Sequence, residues 1–376
     1  MTDPFVDPLG WFLSEPDAFS DALGWVAIAL FVAAALFERR SERGARALAA
    51  AGWGAFAVFW LRLVYHFAFI HKSYIEGALT VAAVPACLYA GYLLWNGRES
   101  LFLLSRAVAA MGLIYLPFET IPAFTLLGVA FPAPRQVLIE TVADQTGFLV
   151  ELLGYTPERV AGPEAGYDNA FLFVTESGHR LIMEVVLACT GLGSMAIFGG
   201  LIAAVRAPLR RKARALAVAI PTIYGLNLLR TTFITVVFGN QYMHFFVDEV
   251  LFLFGGTDPY NVSFYLSDRV ISQLLAVVAL VGITYLVVRE LPELLTVFED
   301  VLYLATREEY DLHGALGIHA PRPDGGVQTS PLGGDDTGGA AGADRSTGTD
   351  GSGCADGERF DDGDAPDADG GGDGRR

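Results

Sequence analysis

The sequence predicts an all-α membrane protein: a polytopic helix bundle of about seven to eight transmembrane helices, followed by a disordered acidic tail. Three observations carry that reading. The 376-residue chain is 53% hydrophobic yet has a formal net charge of −17, which an apolar core joined to a charged extension produces and a soluble domain rarely does. Apolar stretches of about 18 residues, enough to cross the hydrocarbon layer, recur at 22–37, 47–65, 77–95, 101–118, 182–205, 215–238 and 269–288. From Pro321 to Arg376 there are 13 acidic residues against 5 arginines in a Gly/Asp-rich stretch. Such a segment has too little apolar surface to offset its ordering entropy. The chain thus divides into a polytopic domain over 1–310 and a solvated tail over 311–376.

Taken in order, the first span is short and follows a segment with five acidic and no basic residues over 1–21, which does not fit a cleavable secretory signal. The fourth span admits a continuation through IPAFTLLGVAF (121–131), and this sets the upper count of eight. ERRSERGAR (38–46) carries Arg39, Arg40, Arg43 and Arg46, and RAPLRRKAR (206–214) carries five Lys/Arg. Basic short loops mark the cytoplasmic side. Seven spans put both loops on that side, with the N-terminus outside and the tail inside. The connections 119–180 and 239–268 then lie outside; both hold turn signals, among them YTPERVAGPEAGYDN and GGTDPYN. An NVS sequon at 261–263 falls on the same outer face.

Span five contains VVLACTGLGSMAIFGG (185–200). Running inward from about residue 182, it sets Cys189 about 10 Å below the outer surface. Span six runs back outward, and Arg230 in GLNLLRTTFITVV comes to about 12 Å from the same end. Arg269, in SDRVISQLL, stands at the mouth of span seven. An arginine within a span costs about 2.5 kcal/mol or more at the bilayer centre, so Arg230 calls for a function. A cysteine in an apolar helix is ordinarily a small hydrophobe; Cys87, with no charge nearby, is read that way. At Cys189 the matching depth of Arg230 reverses the reading, because adjacent positive charge favours the thiolate, the nucleophilic form. Gly191, Gly193, Gly199 and Gly200 are expected to admit a close helix and so bring Arg230 within reach.

Other polar residues read more plainly. Arg62 is expected to snorkel to the headgroups, and Glu184 and Asp268 to pair with arginines. His66, His71, His179 and His244 fall on the outer side, none at the depth of Cys189. The cysteines 87, 189 and 354 form no CxxC and no metal spacing, so neither a zinc site nor a disulfide framework is expected. No cofactor or metal is implied by any cluster of ligands, and nothing suggests nucleic-acid binding. With only Lys72 and Lys212 as lysines, the acidic composition fits a salt-loving source.

A polytopic protein with Cys in ACTG, Arg in NLLRTTFI and Arg in SDRVISQ resembles the exosortase/archaeosortase family. The resemblance covers the membrane core to about residue 310 and is most specific over 181–288. Bacterial members carry His at the third position; Arg269 agrees with the archaeal branch. The resemblance implies a cysteine transpeptidase of the cell membrane with Cys189 as nucleophile and Arg230 and Arg269 as paired catalytic arginines. Its implied substrates are exported proteins, S-layer glycoprotein among them, bearing a C-terminal Pro-Gly-Phe motif, a membrane span and basic residues. The implied reaction removes that signal and joins the new C-terminus to a membrane lipid acceptor. Two other readings fit the residues: an intramembrane thiol protease that ends in hydrolysis, and an anion transporter using the arginines. The latter needs no Cys189.

Overall fold

Long runs of Ala, Leu, Val and Phe without charge favour helix in a bilayer, because only helices satisfy their own backbone groups there. The computed structural model, which describes residues 18–67, 74–164, 166–175 and 177–317, is mostly helical. Four helices open it: α1 (Ala18–Phe37), α2 (Glu42–Tyr65), α3 (Tyr74–Trp95) and α4 (Leu101–Thr120). Ser41 caps α2, its hydroxyl accepting from Gly44 N–H at 3.2 Å. Their shared core holds Ala27, Phe31, Ala49, Trp53, Cys87 and Ala90, and Phe31 meets Trp53 edge-on at 5.1 Å. Cys87 is thus the packed hydrophobe the sequence suggests.

After α4 the chain leaves the helical pattern. Residues 121–131, read as a continuation of the fourth span, instead form a hairpin of β1 (Phe124–Leu126) and β2 (Val129–Phe131). Its two-residue turn needs Leu127 at φ +53° and Gly128 at φ +81°, the mirror-image turn that joins antiparallel strands most tightly. Helix α5 (Pro134–Leu152) follows. It buries Ile139, Val142, Ala143, Thr146 and Val150, an amphipathic spacing that a search for unbroken apolar runs passes over.

A three-stranded antiparallel sheet comes next: β3 (Glu158–Ala161), β4 (Asp168–Val174) and β5 (Arg180–Glu184), with β4 central. Phe171 opposes both Arg159 and Met183. The sheet packs on α5 and on α7 (Leu209–Gly239) through Phe171, Leu181, Met183, Val142, Ile234 and Phe238. At 31 residues, α7 spans about 46 Å, well beyond a hydrocarbon layer of about 30 Å. Its surplus carries the sheet. At Gly239 a Cβ would fall 2.5 Å from the Phe173 ring.

The fifth crossing differs most from expectation. Instead of a span over 182–205 there is strand β5, a 3₁₀ turn (Leu187–Thr190), and a short helix α6 (Leu192–Ala204). Thirteen residues cover about 20 Å, so the part of this crossing before α6 is strand and turn, backbone that a bilayer tolerates only where it is buried in protein or lines water. The last crossing also starts earlier than 269. Past α8 (Val247–Phe254), helical structure runs from Pro259 through a π-helical stretch, Tyr265–Ser272, into α9 (Gln273–Glu290). Among the described residues six helical stretches are long and apolar enough to cross a membrane, and α6 is a shorter apolar helix.

These passages leave two unlike ends. One is sewn by ion pairs: Glu38 with Arg106 at 3.0 Å and Arg206 at 2.7 Å, Arg46 with Glu99 at 2.7 Å, and Arg211 with Glu293 at 2.8 Å. There α10 (Leu295–Thr306) returns its Asp300 to Ser100 at 2.7 Å. The other end carries the hairpin, α5, the sheet and α8. The acidic tail expected over 311–376 falls almost wholly outside the described residues, as do His71 and Cys354.

Candidate active site

Three residues fix the local path of Cys189. Its own N–H donates to the Val186 carbonyl at 2.8 Å, closing the 3₁₀ turn. Two residues on, Gly191 takes φ +76° and becomes the residue from which α6 starts. A side chain there would be strained and its Cβ would lie 3.1 Å from Asn227. The thiol therefore sits just ahead of a helix N-terminus, where the helix dipole favours negative charge.

Helix α7 grips this turn. The Cys189 carbonyl accepts from Asn227 Nδ2 at 2.5 Å and from Thr231 Oγ1 at 3.2 Å. Asn227 and Thr231 are one turn apart on one face, and Arg230 lies between them in sequence. Arg230 donates from Nη2 to Asp268 Oδ1 at 2.6 Å, with 28% and 19% of the two side chains exposed. Its Nε–H is buried with no partner among the described residues. The Cys189 side chain is half-buried and, like Tyr224, Leu228, Tyr260 and Phe264, packs against a cluster that includes Val142, Met183, Val185 and Ile234.

The backbone of Cys189 thus lies level with the turn of α7 that bears Arg230. Arg269 follows Asp268 on the π-helical stretch, but its guanidinium lies over the rings of Tyr265, at 5.2 Å, and Phe254, at 5.8 Å. What joins the two arginines' elements is the Asp268 carboxylate. The expectation of Asp268 as an arginine partner holds; Glu184 accepts from Asn169 Nδ2 and from the Glu164 amide, both at 3.2 Å. Those bonds tie the 162–169 connection to the strand leading to Cys189.

The glycines act differently from expectation. Only Gly191 faces α7. Gly200 and Gly199 face α4, where a Cβ on Gly200 would be 2.6 Å from the Ala107 carbonyl oxygen, and Gly193 has open space. Arg62 is 1% exposed and donates to Ser20 Oγ at 2.7 Å, so it is enclosed by protein instead of snorkelling. On the sheet-bearing end His179 stacks on Tyr260 with centroids 4.1 Å apart, and His244 stands 6.3 Å from the same ring. Sequence alone, with His179 and His244 some sixty residues apart and Tyr260 unremarked, offers no signal for that grouping.

The described residues contain no cluster of three or more His, Cys, Asp or Glu able to hold a metal. A thiol, a charge-paired arginine with a spare donor, and two amide or hydroxyl clamps are suited to nucleophilic attack on a carbonyl.

Comparison with known proteins gives the chain relatives. The transmembrane exosortase family matches residues 17–257. Archaeosortase A of Haloferax volcanii is 65% identical over 303 residues, 81% of this chain and 99% of its own length. Archaeosortase A of Natronomonas pharaonis is 45% identical over 291 residues, 76% of this chain and 88% of its own. No solved structure matches the chain.

Proposed function

The chain belongs to the transmembrane exosortase family and is a multi-pass membrane protein; from that premise we propose that it is a cysteine transpeptidase that sorts exported proteins. In this reading it cleaves a C-terminal signal of Pro-Gly-Phe type and transfers the new C-terminus to a membrane lipid. The ion-paired basic end faces the cytoplasm, by the loop charge rule, and the sheet-bearing end faces outside. There it meets a substrate whose motif emerges from the bilayer while its span stays within.

The observation that carries the proposal is the clamp on Cys189. Asn227 and Thr231 hold its carbonyl from the helix turn that also bears Arg230. The position of the thiol is thereby coupled to that of the guanidinium. In the first step the Cys189 sulfur bonds to the scissile carbonyl carbon, and the carbonyl π pair moves onto oxygen. The spare Nε–H of Arg230 is suited to that oxyanion, a contact worth about 3–4 kcal/mol in a water-poor site. Collapse expels the signal's amine, which takes up the proton the thiol has lost, and leaves a thioester. A nucleophile on the lipid then attacks the thioester and restores the thiol. Arg269 is assigned the second catalytic arginine from the family resemblance; closure toward Cys189 on substrate binding is its expected movement.

An anion transporter is less well supported, since Asp268 already neutralises Arg230. The deciding experiment follows one signal-bearing surface protein by intact mass and lipid labelling in cells with wild-type enzyme, Cys189→Ala or Arg230→Ala. The wild type is expected to give a shortened, lipid-bearing C-terminus, and each variant to lower processing at least about 100-fold. A shortened product without lipid would mean a protease. Normal processing by Cys189→Ala would overturn the proposal.

A further inference from the structure

The hairpin between α4 and α5 has a composition that water does not explain. Residues 121–132 are exposed without interruption, and IPAFTLLGVAFP contains no charged residue. Phe124, Leu126, Leu127, Val129 and Phe131 are 48%, 57%, 97%, 56% and 42% exposed. Phe124 and Phe131 stack across the strands at 5.2 Å, so the two longest rings stiffen the hairpin and leave its apolar surface uncovered. Exposed contiguous apolar surface of this kind marks an interaction site.

The turn supplies a second, independent observation. A two-residue turn with both φ values positive ordinarily carries Asn-Gly or Asp-Gly, yet here Leu127 takes φ +53°. A leucine in that region is strained. The strain is carried by the most exposed large side chain of the segment, a choice that makes sense only if the tip meets something apolar.

We propose that this hairpin dips into the outer leaflet of the bilayer and lies at the level of the headgroups and upper acyl chains. Its occupant is lipid, because the surface is continuous with one that already faces lipid: α4, whose Leu113 and Ile114 are 49% and 37% exposed, runs directly into it through Ile121. The depth is limited by the backbone. A two-stranded ribbon has open edges, and unpaired amides and carbonyls are not tolerated in the hydrocarbon layer. The apolar side chains enter while the edges stay at the hydrated boundary. Helix α8 is the contrasting case. It also exposes Phe252 and Leu253, but it carries exposed Asp248 and Glu249 in its first turn. The chemistry recognised is an apolar acyl layer without headgroup selectivity, since the hairpin offers no charge to a headgroup.

The test is depth measurement in liposomes on the full chain with Cys87, Cys189 and Cys354 replaced by alanine. A nitroxide is placed at Leu127→Cys and, in a second protein, at Leu126→Cys; Ser177→Cys, exposed on the same end, reports the aqueous limit. Collision with molecular oxygen is expected to exceed collision with a neutral nickel chelate at the two hairpin sites, and the order to reverse at Ser177. Preference for the nickel chelate at both hairpin sites would put the tip in water and overturn the proposal. Protection from both reagents would mean that protein covers the hairpin, whether residues 1–17 or a second copy, and would overturn it equally.

Discussion

At the scale of single residues, the site turns on one carboxylate. Asp268 is the charged partner that holds Arg230, at 2.6 Å, and both side chains are less than a third exposed. Removing one member of such a pair leaves a charge in a poorly hydrated place, at a cost of about 3–5 kcal/mol when fully buried and less at this exposure. If Arg230 serves the oxyanion, Asp268 is its positioning residue. Asp268→Ala is expected to lower kcat about 100-fold while KM moves little, because the loss falls on the transition state. Asp268→Asn keeps an acceptor for one Nη–H and is expected to recover part of the loss. Steady-state cleavage of a signal peptide in proteoliposomes checks both, and a change confined to KM would assign Asp268 to substrate binding. That Cys189 lies level with the turn bearing Arg230 was legible in the sequence because helical rise converts residue number into depth. The Asn227 and Thr231 clamp was not, since depth says nothing about which face of a helix meets which backbone carbonyl. Arg62 misled for the same reason: its level suggested a surface residue, and only packing reveals that Ser20 receives it.

At the scale of elements, the helices that match simple apolar runs were legible and the rest were not. α2, α3 and α4 begin and end close to the expected spans because each is one regular helix built from a single apolar run. Span five failed as a reading because RLIMEVVLAC is apolar whether it crosses a bilayer as helix or lies buried as β5 and a turn. β4 compounds this, with Asn169, Ala170, Phe171 and Leu172 buried in succession, so strand alternation is hidden. The GG pair in α6 was legible as a close-approach signal, but its partner proved to be α4. Gly200→Ala would bring a Cβ to 2.6 Å from Ala107 O and 2.8 Å from Met111 N. Backbone atoms cannot step aside, so the helices must separate, at about 1–3 kcal/mol. Gly193→Ala meets nothing within 4 Å and is expected to gain up to about 1 kcal/mol of helix propensity. Thermal melts of the two purified variants in detergent should therefore move in opposite directions. Equal shifts would mean that α4 and α6 are not in contact in the folded protein.

At the scale of the whole molecule, the two ends are stabilised by different physics. The sheet-bearing end is held by apolar packing of α5, the sheet and α7, whereas the opposite end depends on charges that bridge distant parts of the chain. Asp300 is the most enclosed of these, with 3% of its side chain exposed. It ties α10 to the start of α4 through Ser100 and to Arg98, at 3.4 Å. Burial pushes the Asp300 carboxyl above the ordinary carboxylate range, against the lowering effects of the Ser100 hydrogen bond and the Arg98 charge. A folded state that holds a proton more tightly than the unfolded chain loses stability as pH rises through that interval. The contribution of Asp300 is therefore most favourable when it is protonated and declines from about pH 4 upward. Asp300→Asn cannot ionise but keeps an oxygen for the Ser100 hydroxyl, so it isolates this one titration from those of the many surface acids. Melting temperatures of wild type and Asp300→Asn across about pH 4 to 7 are expected to diverge, with wild type losing ground as pH rises. If wild type gains ground instead, the attraction of Arg98 outweighs the cost of burial, and this end is clamped by an ion pair and not by a hydrogen-bonded acid.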